Sequence, residues 1–156
     1  MRLMLALFFL LLIFIFPQRV YADVDYIEVF YHKIDEDDEA FLVSYIIQVP
    51  SYLSVENRAM VVFSNIFDNT YVDEIIFVPK DVHIIDVFFS EEYAHLVINL
   101  SAEMLNYGGT YFEYRLVEKL IANAAALEEV AYFTILTEGQ SLHLPEGTLI
   151  FETKVH

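Results

Sequence analysis

The chain has 156 residues, enough for one domain of ordinary size and not for two. Its 24 acidic residues outnumber 8 basic ones for a formal net charge of −16, which repels nucleic-acid phosphates and anionic lipid heads, so that no nucleic-acid partner is expected. Cysteine is absent, so neither a disulfide framework nor thiol chemistry is open to it, and stability must come from a core in which 14 Phe and 11 Tyr are available.

Residues 3–16 are an unbroken apolar run behind Arg2, closed by Pro17. As a helix this run would span about 21 Å, short of the ~30 Å core of a bilayer. A basic start, a short apolar stretch and small residues after a helix breaker describe a secretory signal. Val20 and Ala22 suit signal peptidase, so cleavage is expected between Ala22 and Asp23, with 1–22 a signal peptide and 23–156 a single exported domain. The alternative is that the same run stays uncleaved as an anchor. Its removal takes Arg2 and Arg19 but no acid, leaving six basic residues against 24 acidic ones and a net charge of −18.

Segments 25–34 and 40–49 are rich in aromatic and β-branched residues and flank Asp35, Glu36, Asp37, Asp38 and Glu39. A strand, an acidic loop and a second strand ended by Pro50 are expected as a hairpin. Over 54–69 the period changes: Val55, Ala59, Met60, Phe63, Ile66 and Phe67 recur at helical spacing behind a capping Ser54, and the helix should stop near Asp68 or Asn69. A connector, with a short extended segment before Pro79, leads to a second hairpin over 82–101. There Ile85, Val87 and Phe89 alternate on one strand and Leu96, Ile98 and Leu100 on the next. The turn between them, Ser90 to Tyr93, has no glycine and so is not a two-residue primed turn.

Gly108 and Gly109 precede a second helix whose apolar face carries Leu116, Val117, Leu120, Ile121 and Ala124, with Leu127 near its end. Thr110 and Glu113 have the spacing of a capping box. A phosphate cradle would need G-x-x-x-x-G-K-[ST] or G-x-G-x-x-G after a strand, and neither is present. The glycines are therefore expected to let the chain turn into the helix. Residues 130–140 alternate as a further strand ending at a Gly139 turn, and 148–153 can add a short edge strand. The fold class expected is α+β: a mixed β-sheet with two helices packed on one face, in the order β-β-α-β-β-α-β, without regular βαβ crossovers.

The stretch from Val78 onward resembles the GerM domain of sporulation and spore-germination proteins. The resemblance is carried by Val97, Asn99, Leu100 and Ser101 at the close of a strand, by the pair Gly108 and Gly109, by the helix behind them, and by Gly139 after the next strand. It covers about residues 25–145, although the hairpin turn has Ser-Glu-Glu-Tyr where the family has a glycine. It implies a small exported α+β domain like the ring-building motifs of sporulation machinery, with no catalysis and no cofactor. The residues it marks, with Thr110 and Glu113 from the capping reading, are expected to be structural.

Other constellations point the same way. The acidic loop lacks the spacing of a calcium-binding EF-hand and is expected to be solvated. His32, His83, His95, His143 and His156 form no zinc motif, although His83 and His95 could face each other across the second hairpin with Asp86 as a third ligand. Ser101 sits in no nucleophile elbow and is expected to cap a short turn. Among Tyr26, Phe30, Tyr31, Tyr45, Tyr132 and Phe133, most should serve the core and a minority form an exposed binding patch. The function expected is a non-catalytic interaction module of the bacterial envelope, related to sporulation or germination. Its partner would be an envelope or sporulation protein, or a second copy of the chain. The competing readings are a wall-active hydrolase or accessory using an unrecognised carboxylate pair, and a cation-binding surface protein.

Overall fold

In the computed structural model, which describes residues 23–68 and 77–156, the first hairpin is a long two-stranded ribbon. Strands β1 (Val24–Ile34) and β2 (Ala40–Pro50) pair antiparallel without a bulge. Ile27, Val29 and Tyr31 point from β1 into the core, as period-two alternation requires. Helix α1 (Val55–Phe67) begins where Ser54 accepts a hydrogen bond from the Asn57 N–H at 3.3 Å, and it ends at Asp68. It buries Ala59, Val62, Phe63, Ile66 and Phe67 on one face. The expected signal peptide and the first part of the connector lie outside the described residues.

The second sheet has the order β3-β4-β5-β6. Strands β3 (Ile84–Ser90) and β4 (His95–Leu100) form the expected second hairpin. A bulge at Ile85 shifts the inward face of β3, so Ile84, Val87 and Phe89 pack inward while Ile85 is exposed. The alternation expected for Ile85 fails for that reason. On β4, Leu96, Ile98 and Leu100 are fully buried. A 3-10 turn (Ala102–Leu105) then leads to helix α2 (Thr110–Ala125) and strand β5 (Tyr132–Thr137).

Strands β4 and β5 run parallel, His95 against Tyr132 through Leu100 against Thr137, so α2 is a βαβ crossover. One such crossover gives the sheet its mixed character, where no regular series of them was expected. Parallel neighbours need a connection of a dozen residues or more, and 101–131 supplies it. The order β-β-α-β-β-α-β is observed, in an α+β fold with a mixed sheet. Strand β6 (Thr153–Lys154) adds a final antiparallel edge. It falls later than the expected 148–153: the Ile150 carbonyl already accepts from the Ile135 N–H at 2.9 Å, but Glu152, at a φ of 47°, interrupts the segment before the ladder resumes.

Helix α1 packs against β3 and β1, α2 packs against β1, and the helices touch each other. Phe63 of α1 stacks on Phe133 of β5 with ring centroids 5.6 Å apart. Both rings are fully buried, and burying a side chain of this size contributes about 1.5–3 kcal/mol.

Candidate interaction surface

The residues marked by the resemblance are tied together by long-range contacts. Asn99, at the end of β4, accepts a hydrogen bond through Oδ1 from the Gly139 N–H at 2.7 Å, holding the turn after β5 against its parallel neighbour. Gly139 has a φ of 75°. Ser101 occupies the cap position of the 3-10 turn, but its hydroxyl makes no cap bond; it accepts from the His83 N–H at 3.2 Å and so closes the open end of the β3–β4 hairpin.

The capping box at Thr110 and Glu113 is not formed. Gly109 is the cap residue, with a φ of 103° that only glycine adopts easily, and Thr110 already lies in the first helical turn. Glu113 turns away from the helix start and is buried. Its carboxylate accepts from the Glu146 N–H at 2.7 Å, the Thr148 N–H at 2.9 Å and the Tyr107 hydroxyl at 2.9 Å. Glu146 answers from the loop: its carboxylate accepts from the Gly109 N–H at 2.7 Å. The anion at the helix start is thus Glu146, not Glu113, and two glutamates clasp the C-terminal loop to α2. Gly108 stands against the same carboxylate, where an added Cβ would meet Glu146 Oε1 at 3.9 Å.

Burial alone would raise the pKa of Glu113, but hydrogen bonds from Thr148, Glu146 and Tyr107 outweigh it and hold the carboxyl below its ordinary 4.5. Burial and the neighbouring carboxylate push Tyr107 well above the usual phenol range, so it stays a donor.

A second buried polar group joins β1 to α2. His32 is fully buried, with Nε2 2.9 Å from Glu118 Oε2, and Arg115 Nη1 donates to the same oxygen at 2.9 Å. Burial lowers the pKa of His32 despite the glutamate. The neutral ring donates through Nε2, leaving a bare Nδ1 that is buried and has no partner among the described residues. Protonation would place an N–H at that position, which opposes it. Arg115 also lies 5.2 Å from the ring centres of Tyr111 and Tyr114.

The histidines expected to face each other lie at opposite ends of their hairpin. His95 pairs with Ser90 beside the turn, whereas the His83 carbonyl accepts from Ser101 N–H at the open end. His95 Nε2 lies 2.9 Å from Thr134 Oγ1 instead. In the acidic loop, Asp35 accepts from the N–H groups of Asp37 and Glu39, each at 2.9 Å, and so closes its own turn. Among the described residues no three His, Asp or Glu side chains gather as a metal site.

Surface aromatic residues divide as their strand faces dictate. Tyr31 and Phe133 are buried, Phe30 and Tyr45 half-buried, and Tyr26 and Tyr132 exposed. Tyr132 joins Tyr93, Glu92, His95 and Glu152 around an open groove of about 580 Å³. The ribbon offers a different surface. Its β1 edge is held to α2 at Phe30: Asn123 accepts from the Phe30 N–H and donates to the Phe30 carbonyl, both at 2.9 Å. This contact is not legible in local pattern, because an asparagine in a helix does not announce a strand 93 residues away. Strand β2 forms the opposite edge of this two-stranded ribbon.

No protein-family model matches the chain, and no curated protein matches it. Solved structures do. The first GerMN domain of the sporulation protein GerM from Bacillus subtilis superposes with a TM-score of 0.56 at 16% identity, covering 82% of this chain and 96% of that one. The tandem GerMN domains of the same protein give 0.55 at 14% identity, covering 82% of this chain and 45% of theirs. A lipoprotein candidate from Clostridium perfringens gives 0.53 at 14% identity over 80% of this chain and 81% of its own. The resemblance read from Asn99, Ser101 and the paired glycines thus has its counterpart in three dimensions: this chain has the fold of a GerM-like domain.

Proposed function

We propose that the chain is an exported, non-catalytic assembly module of the bacterial envelope, acting in sporulation or germination through a protein partner. The observation that carries this reading is the distribution of its polar and apolar groups. Three of its carboxylates are committed to structural partners: buried Glu113 to the C-terminal loop, half-buried Glu118 to His32 and Arg115, and exposed Glu129 to Arg58. Several exposed apolar side chains, Ile46, Phe88 and Tyr26 among them, lie on strands, where a partner can reach them. Likeness to domains of a sporulation protein supports the same setting.

The open groove beside Tyr93 and Tyr132 sustains the hydrolase as a second reading, since Glu92 and Glu152 both line it. Incubation of the purified chain with peptidoglycan separates the two. The assembly reading expects no release of soluble wall fragments. Release that disappears in Glu92→Gln or Glu152→Gln would replace it with the hydrolase.

A further inference from the structure

We infer that the outer edge of β2 accepts an extended segment of a partner protein by strand addition, and that this segment is uncharged at its centre and basic at its ends. The inference rests on the reading of the chain as an assembly module and names the surface that does the work.

The geometry follows from Asn123. In an antiparallel ladder, the two residues of a non-hydrogen-bonded pair both direct N–H and C=O away from each other's strand. Phe30 does so, because Asn123 takes both its groups on the side away from β2. Phe30 pairs with Ser44, so Ser44 belongs to the same class, and with it Leu42, Ile46 and Gln48, opposite His32, Glu28 and Tyr26. Their backbone groups point outward, and among the described residues no hydrogen bond reaches them.

This edge lacks the usual protections. Isolated edges carry charges, bulges or interior prolines that prevent pairing. Strand β2, AFLVSYIIQVP, holds no charged residue, keeps an unbroken register, and has its proline only at the end. Its 11 residues offer an edge of about 36 Å. Ile46 is 67% exposed on one face, while Val43, Tyr45 and Ile47 are half-buried on the other. An added strand would find hydrogen-bonding groups along its length and apolar neighbours on both faces.

Charge chooses the occupant. At one end of β2 stands the acidic loop 35–39; at the other, Asp25 pairs with Val49 and the Asp23 carbonyl accepts from Ser51. Two copies joined antiparallel through β2 would set each acidic loop beside the other's Asp23 and Asp25, in chains already carrying −16. Repulsion at both ends opposes that pairing. A partner strand with lysine or arginine at its ends meets attraction at both.

The test uses the purified full chain and a fluorescent peptide of about ten residues, alternating valine and threonine between lysine pairs, read by anisotropy. We expect it to bind at least about tenfold more tightly than the same peptide flanked by glutamates, and to weaken as salt rises. Ser44→Pro removes one outward N–H without touching a ladder bond, and should weaken binding about tenfold with the melting temperature nearly unchanged. Ile46→Lys, which tests the edge independently should the proline variant fold poorly, should abolish binding. Peptide binding that is absent, or unchanged in a folded Ile46→Lys protein, would overturn the inference. So would a concentration-dependent dimer of the wild type that Ile46→Lys dissolves, which would assign the edge to a second copy. Neither result touches the assembly reading, which falls separately if the chain releases wall fragments.

Discussion

Asn123 acts toward Phe30 as a missing strand would, accepting from its N–H and donating to its carbonyl. The same amide donates to the Lys119 carbonyl within α2, so one fully buried side chain satisfies helix and ribbon together. Asn123→Leu keeps the branched outline of the side chain but leaves both Phe30 groups without their partner. We expect a loss of about 1–3 kcal/mol in urea unfolding. An unchanged midpoint would show that the ribbon does not depend on the helix for its edge.

The glutamate clasp predicts an acid-sensitive fold. The folded-state pKa of Glu113 is depressed, so its contribution is complete above the ordinary value of 4.5 and is lost as pH falls through the lower folded value. Glu118 and Glu129 are shifted in the same direction and add to the slope. Glu113→Gln should therefore lower stability at neutral pH by about 1–3 kcal/mol and flatten, without removing, the fall below pH 4.5. Denaturation at a series of pH values measures both effects.

His32 predicts a second, milder step. Its folded pKa lies below 6.5, so the unfolded chain takes up a proton first and stability declines as pH falls below that value. His32→Gln cannot titrate; it should be less stable at neutral pH, and the part of the decline due to His32 should vanish. Unfolding midpoints at about pH 7.5 and about pH 5.5 supply the comparison. An equal decline in the variant would assign the step to other groups.

At the start of α2, Gly109→Val should cost about 1–3 kcal/mol, because a side chain is strained at a φ of 103° although nothing crowds the space a Cβ would fill. Phosphate and nucleotides should leave the wild-type melting temperature unchanged, since the Glu146 carboxylate already holds the Gly109 N–H. A clear upward shift with a nucleotide would reinstate the cradle.

What could be read from the sequence, and what could not, divides along the range of the interactions. Alternation placed both hairpins, and helical spacing with Ser54 placed α1, because those patterns need only near neighbours. The bulge at Ile85 was invisible, since two adjacent isoleucines fit either register. The parallel pairing of β4 with β5 joins segments separated by a whole helix. Glu113 had the spacing of a capping box, and only the folded chain shows that Glu146 and Thr148 draw it elsewhere. Asn99 and Gly139 were marked by resemblance, but their hydrogen bond emerges only from the fold. The open edge of β2 was hidden for the same reason: its sequence reads as any half-buried strand until the ribbon is seen to have only two strands, with α2 tied to β1 at Phe30.

The central claim is that this domain works by binding a protein partner, and photo-crosslinking in intact cells of a spore-forming host tests it most directly. A photoreactive residue would be placed singly at Ile46, Phe88, Tyr93 and Tyr114, all exposed positions on different elements. The account predicts a discrete adduct from Ile46 during sporulation, carrying one envelope or sporulation protein and lost when Ser44→Pro is added. Adducts absent from all four positions would contradict it.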